Sequence, residues 1–367
     1  MKILFIITGL GTGGAEKQVC DLADMMSAKG HEIKIISLTE KPSSVIYPRD
    51  KKVNVFFLNM TKNPIGFVKA YLALRKEVRQ YNPDIIHSHM FHANIMARLL
   101  KFTTKTPMMI NTAHNTNEGG RLRMLAYRLT NFLSDLNTNV SQDAVEAFIE
   151  KKAVKKGQML AIPNGIDIAL FYKDNDARIA TRKELQISDS TQLFVAVGRL
   201  TPQKDYPNLL QAFSIVKQAA QDCHLCIVGT GELEPTLKQK AIDLGIADSV
   251  RFLGLRRDIP AIMNSADTYV MSSHYEGLPL VIGEAMACEN VIVATDCGGT
   301  LEVIGEYGFL VPIQDSQALA TKMLETIHLP LEKREYLGKH ARKHIKEHYS
   351  LETVVNKWLE IYNKKSQ

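Results

Sequence analysis

The sequence predicts an α/β protein of two domains, each a parallel sheet covered by helices. Three observations carry that expectation. Short β-rich runs alternate with helical stretches in both halves, the pattern of a parallel sheet covered on both faces. The alternation restarts after Ile162-Pro163-Asn164-Gly165-Ile166-Asp167, a turn-rich punctuation that fits an interdomain hinge. A length of 367 residues suits two cores of about 150 to 200 residues better than one.

The first element is a strand over residues 2–8. Met1-Lys2 and the apolar run after it imitate a signal peptide. That run passes into Gly11, Thr12, Gly13, Gly14 and an acidic residue without a small-residue cleavage site, so a buried strand is expected. A helix over 16–29 puts Val19, Leu22, Ala23 and Met26 on one face and is ended by Gly30. Further strands are predicted over 32–38, 53–58, 85–88, 108–112 and 136–140, with helices between them. Beyond the hinge, 174–189 is polar and reads as surface. Strands follow over 193–198, 224–229, 250–254, 268–272, 291–295 and 308–311. After Gln314 the chain reads helical, and its last segment, 351–365, sets Val354, Val355, Trp358, Leu359 and Tyr362 on one face.

Composition is that of an ordinary soluble globular protein, and no apolar run reaches the roughly 18 residues that span a bilayer. Five cysteines form no dense framework, which suits a reducing compartment. Cys223 and Cys226 have the spacing of half a zinc site but no second pair, so they read as buried strand residues. The formal charge of +6 is uneven: 23 Lys+Arg face 14 Asp+Glu over residues 1–170, against 22 and 25 over 171–367. A basic first half suits nucleic acid, an anionic membrane face or a phosphorylated substrate, and charge alone does not choose among them.

Gly9-Leu10-Gly11-Thr12-Gly13-Gly14 follows a strand and precedes a helix, so its backbone amides can approach a phosphate. Glu40 falls near the end of the second strand, where a dinucleotide-binding domain places its ribose ligand. An NAD(P)-dependent oxidoreductase is therefore one reading, and tight strand-to-helix packing without a ligand is another. The second half is more informative. Residues 272–287 begin at the carboxyl end of a strand, where open α/β sheets bind ligands. Gly277 permits close backbone approach, and Pro279 suits the first turn of a helix running through Ala287. The free amides of 278–281, Leu278 and Leu280 included, then face a phosphate. Glu276 stands before that helix and Glu284 inside it, so the two carboxylates can grip hydroxyls at opposite ends of one elongated ligand. Upstream, Arg199 and Lys204 project from the loop 198–205. A guanidinium and an ammonium suit a diphosphate and the charge that develops on a leaving group.

At these residues the chain resembles glycosyltransferase family 4, the retaining enzymes of the GT-B fold. The resemblance rests on Gly13-Gly14-Ala15-Glu16, Pro163-Asn164-Gly165-Ile166-Asp167, the 198–205 loop and the Glu276-x7-Glu284 spacing. It implies two facing Rossmann-like domains with an interdomain cleft: an acceptor-binding domain over 1–168 and a nucleotide-sugar-binding domain over 169–349. The helix at about 350–367 is expected to pack back on the first. It also implies that Glu284 binds the donor ribose and that Glu276 lies near the transferred sugar. Gly277, Leu278, Pro279 and Leu280 contact sugar and phosphate, Arg199 and Lys204 hold the diphosphate, and Gly13 and Gly14 close over it. His114, after the strand 108–112, matches the family histidine that reaches the donor sugar. No cofactor or metal is implied, the nucleotide-sugar being a substrate, and His87, His89 and His92 read as cleft or packing residues. A nucleotide-sugar epimerase of the same architecture is a further alternative.

The donor is expected to be a UDP-sugar, on family frequency, and the acceptor a glycan or lipid-linked glycan in capsule, O-antigen or other surface-polysaccharide biosynthesis. Arg121, Arg123 and Arg128 interleave with Leu122, Met124, Leu125, Leu129, Phe132 and Leu133, a basic amphipathic stretch that can lie on anionic lipid. An ordinary helix covering the sheet explains it equally well. The expectation is a cytoplasmic enzyme, peripheral on the inner face of the membrane, with no nucleic-acid partner.

Overall fold

The computed structural model describes residues 1–11, 13–41, 45–61, 63–105 and 108–364. Thr12 of the glycine loop and Lys365, expected to close the last helix, lie outside them. The chain divides into two compact units, Met1–Gly165 with Leu351–Gln367, and Ile166–Ser350.

Unit 1 holds strands β1 (Lys2–Ile7), β2 (Glu32–Ser37), β3 (Asn54–Phe57), β4 (Ile85–His89), β5 (Met108–Thr112), β6 (Leu136–Asn139) and β7 (Leu160–Ala161). They form one sheet in the order β3-β2-β1-β4-β5-β6-β7, and each neighbouring pair is parallel. After Lys2 every residue of β1 is buried, as a strand covered on both faces requires. One face packs under the helix Gly14–Ala28 and the C-terminal helix Leu351–Lys364, whose Val354, Val355, Trp358 and Tyr362 join the cluster of Ile3, Phe5 and Ile7. The other face packs Leu4, Ile6 and Ile86 against Leu74 of the helix Pro64–Tyr81 and Met96 of the helix Phe91–Leu99.

Unit 2 holds β8 (Gln192–Val197), β9 (Cys223–Val228), β10 (Val250–Gly254), β11 (Thr268–Met271), β12 (Val291–Thr295) and β13 (Phe309–Val311). They form a second parallel sheet in the order β10-β9-β8-β11-β12-β13. All five cysteines are buried and unpaired. Among the described residues no helix is long and apolar enough to cross a membrane.

Two segments differ from expectation. The two-residue β7 carries too little pattern to be read from sequence; it forms because Leu160 and Ala161 complete the sheet edge beside β6. The polar stretch 174–189 is not simply surface. Asp174 accepts from the amides of Asp176 and Ala177 and caps a helix, Asn175–Glu184. The buried Arg182 of that helix donates to the carbonyls of Ser265, Ser188 and Thr191 and pairs with Asp267 at 3.3 Å. Burying a guanidinium is costly unless its donors are met; here Nη1 and Nη2 are met by those carbonyls and Asp267, while Nε has no hydrogen-bond partner among the described residues and lies 3.7 Å from Asp189 Oδ1.

Candidate active site

In unit 2 the strand order reverses between β8 and β11, the place where open α/β sheets bind ligands beyond the strands' carboxyl ends. The β8 loop, Gly198 to Asp205, tightens into one 3-10 turn at Pro202–Lys204. That turn aims Lys204 across the reversal point, where its Nζ meets Glu276 Oε1 at 2.5 Å; the two side chains are only 18% and 9% exposed. Backbone and amide bonds fix the approach. Ser272 Oγ donates to the Lys204 carbonyl at 2.8 Å, and the His274 amide to the Gln203 carbonyl at 2.8 Å. Gln203 Nε2 donates to the Tyr275 carbonyl at 2.9 Å and to Glu276 Oε2 at 3.4 Å. Desolvation offsets much of the attraction in a shielded pair of this kind, but it is costly to break from one side.

Two glycines let further loops reach this point. Gly298, after β12, has φ +55°, and a Cβ there would lie 2.2 Å from the Glu276 carbonyl oxygen; the Gly299 amide donates to the buried Gly277 carbonyl at 2.8 Å. Gly229, after β9, has φ +137°, and its Cβ would fall 2.0 Å from the Gly198 carbonyl oxygen. Only glycine meets both demands. Pro279 sits one residue earlier than expected, as the N-cap of the helix Leu280–Ala287 rather than in its first turn. Leu278, Leu280 and Glu284 are buried, and the charges of Glu276 and Glu284 both help raise the buried Tyr269 phenol, after burial itself. Arg199 is not drawn into the Lys204–Glu276 pair: it is exposed and makes no ion pair among the described residues.

Unit 1 gathers uncharged groups at the equivalent place. His87, buried in β4, bonds Tyr362 Oη through Nδ1 and Thr112 Oγ1 through Nε2, both at 2.7 Å. His89 Nδ1 lies 3.0 Å from His114 Nε2, leaving His89 Nε2 and His114 Nδ1 without a protein partner. Burial holds His114 down to about 4, and burial with its neighbours puts His87 and His89 well below the usual imidazole range. All three are neutral at pH 7. Glu118 accepts from the His114 amide at 3.0 Å and from Tyr127 Oη at 2.5 Å, and burial raises its carboxyl. His92 packs edge-on to Phe91. Among the described residues no group of three or more His, Cys, Asp or Glu could hold a metal ion. Gly13 caps the helix Gly14–Ala28, and the Glu16 carboxylate folds so close that a Cβ on Gly13 would lie 2.3 Å from its Oε2. The Glu16 carboxylate thus lies in the first turn, near the positive end of that helix.

Residues 12–170 match the family described as Glycosyltransferase Family 4, and residues 177–344 match Glycosyl transferases group 1. The chain belongs to glycosyltransferase family 4. It is 27% identical to an Escherichia coli UDP-Gal:alpha-D-GlcNAc-diphosphoundecaprenol alpha-1,3-galactosyltransferase, over 72% of this chain and 73% of that one. It is also 27% identical to a Campylobacter jejuni alpha-1,4-N-acetyl-D-galactosaminyltransferase whose name specifies a diphospho-undecaprenol-linked glycan, over 98% of both chains. Among solved structures, Anabaena HepE in complex with UDP-glucose superposes with a TM-score of 0.85 at 23% identity, covering 99% of this chain and all of that one. The fold is GT-B, and the transferase acts from a nucleotide-sugar rather than as the dehydrogenase that the glycine loop alone suggests.

Sequence reasoning about this transferase missed Gln203, Gly229 and Gly298. Gly-Thr-Gly at 229–231 and Gly-Gly at 298–299, each just after a strand, were the available signals. Gln203 had none, because its role depends on a loop 72 residues away.

Proposed function

We propose that the chain transfers a hexose or N-acetylhexosamine from a UDP-sugar, with retention of configuration, to a hydroxyl of a lipid-linked glycan during assembly of a surface polysaccharide or lipopolysaccharide. The observation that carries this reading is the shielded Lys204–Glu276 pair at the reversal point of the unit 2 sheet. An ammonium held there by a carboxylate is pre-positioned for the charge gathering on a departing diphosphate, and Arg199 adds a second cation from the same loop. Glu276 is left to accept from a sugar hydroxyl, Glu284 to accept from the ribose, and the backbone of Gly277 to Leu280 to line sugar and phosphate. In unit 1 the same reading assigns His114 and the Gly13-Gly14 backbone to donor contacts.

The bond from the anomeric carbon to the phosphate oxygen breaks, and the acceptor oxygen takes that carbon on the same face. The acceptor proton passes to the departing phosphate. No side chain is asked to be a nucleophile, so rate comes from positioning and from stabilising the leaving group. The lipid-linked acceptor draws support from the names of the E. coli and C. jejuni relatives. Peripheral contact with an anionic membrane draws support from the helix Arg121–Thr130, whose Leu122, Leu125 and Leu129 are exposed beside Arg121 and Arg128.

The test is a thermal-shift screen against UDP-sugars, GDP-mannose, NAD and NADP, repeated with Glu284→Ala. Stabilisation by one UDP-sugar, lost in the variant, is expected. Stabilisation by NAD or NADP alone would overturn the assignment.

A further inference from the structure

A second helix of unit 1 repeats the pattern of the helix Arg121–Thr130. On the helix Pro64–Tyr81, Ile65, Val68 and Leu72 are exposed, Ile65 by 70%, with the i, i+3, i+7 spacing that Leu122, Leu125 and Leu129 also have. That spacing puts each trio on one helix face. Such a face normally turns to the core, yet here the core side of the first helix is served by Ala70, Leu74 and Val78 instead. Leu122 is 83% exposed, and the adjoining Phe132 is 76% exposed.

The two helices cover the same face of the β1–β7 sheet and are tied through what lies between them. Tyr71 donates to the Leu99 carbonyl, Arg75 and Arg79 donate to the Thr103 carbonyl, and Arg98 donates to Tyr127 and Thr130. Phe102, 66% exposed, stands on that intervening segment. Each helix also lines a basic hollow with other residues. One, of about 690 Å³, is lined by Arg75, Arg79, Lys105 and Phe102. The other, of about 810 Å³, is lined by Arg128, Lys152, Lys155, Lys156 and Phe132. Apolar side chains standing clear of a basic surface match the acyl boundary and the phosphates of an anionic bilayer, whereas a protein partner would leave those cations to be neutralised one by one.

We propose that unit 1 seats on an anionic phospholipid surface through both stripes at once, the helix Pro64–Tyr81 being the second foot beside the helix Arg121–Thr130. This deepens the membrane contact proposed above and depends on it, but not on the identity of the donor. Two points of insertion fix orientation as well as attachment, which one amphipathic helix does not.

The full chain is tested by co-sedimentation with vesicles of phosphatidylglycerol in phosphatidylcholine, and with phosphatidylcholine alone. Three variants are compared: Ile65→Ser/Val68→Ser/Leu72→Ser, Leu122→Ser/Leu125→Ser/Leu129→Ser, and all six together. Circular dichroism and the UDP-sugar thermal shift serve as fold controls, since the changed side chains are outside the core. Binding that requires phosphatidylglycerol, falls by about tenfold or more in each triple variant and vanishes in the sixfold one is the expected result. Unchanged binding in the Ile65 triple variant would overturn the second foot. Absence of vesicle binding by the parent chain, or loss of self-association in place of lipid binding, would overturn the whole surface. A parent chain that binds vesicles but is not stabilised by UDP-sugars would sink the donor reading and leave this one standing.

Discussion

The two units share a strand plan: the first strand lies centrally, the second and third run to one side, and the rest run to the other. They differ in what they place where that order reverses. Unit 2 sets a cation and two carboxylates there, Lys204, Glu276 and Glu284, while unit 1 sets a row of buried neutral imidazoles. One scaffold thus serves two electrostatic purposes. Family membership says that both belong to a glycosyltransferase, but it is the contrast at equivalent positions that suggests a division of labour.

The strongest challenge to that contrast is Lys204→Ala. It removes the cation proposed to meet the leaving group and strands Glu276 in a shielded site, so kcat/KM for transfer is expected to fall by about 10³, roughly 4 kcal/mol. Lys204→Ala combined with Glu276→Gln should recover thermal stability but not activity. A single variant within a few-fold of the parent rate would remove Lys204 from the chemistry.

Acid should separate the units next. The folded His114 titrates at about 4, below the 6.5 of a free imidazole, and His87 and His89 are depressed too. Between those values the unfolded chain binds more protons. Unit 1 therefore keeps its full stability above about pH 6.5 and loses it progressively toward pH 4, on the order of 3 kcal/mol from His114 alone. The sole tryptophan, Trp358, lies 4.5 Å from the His87 ring and reports on unit 1. The denaturant midpoint that it reports should fall as pH drops through that window; a midpoint constant down to pH 4 would contradict neutral burial of the histidines.

Smaller effects sharpen the roles. Glu284→Ala should weaken UDP-sugar binding by about 10- to 100-fold in calorimetry, as loss of a charged acceptor does. If the 3.0 Å contact orients His114 toward the donor, His89→Asn should lower kcat by about tenfold with little change in donor KM. An unaltered kcat would mean that the His89–His114 contact is packing alone.

Much of this was legible in advance because parallel sheets write themselves locally. Apolar runs such as Ile3 to Ile7 must be buried on both sides, and turn residues punctuate them. The Glu276-x7-Glu284 segment was legible for a similar reason, lying on one loop and one helix. What escaped was set by distance in sequence. Arg182 is buried because backbone carbonyls at 188, 191 and 265 converge on it. Gly298 must be glycine because of the Glu276 carbonyl, and the ion pairing of Lys204 depends on a loop 72 residues on. The Ile65 stripe escaped for the opposite reason: amphipathic spacing reveals a face but not whether the core lies beneath it.

The return of the last helix to unit 1 bears on how the protein is made. Leu351, Val354, Trp358 and Tyr362 belong to the same core as β1, yet the ribosome delivers them only after the whole of Ile166–Ser350. At typical synthesis rates that interval is on the order of ten to forty seconds. Throughout it the first unit waits with one sheet face covered only in part, by the helix Gly14–Ala28, and with His87 lacking the tyrosine that completes its hydrogen bonding. Until then the nascent chain is exposed to chaperone capture or aggregation, and the helix Leu351–Lys364 closes a unit whose strands were made long before it.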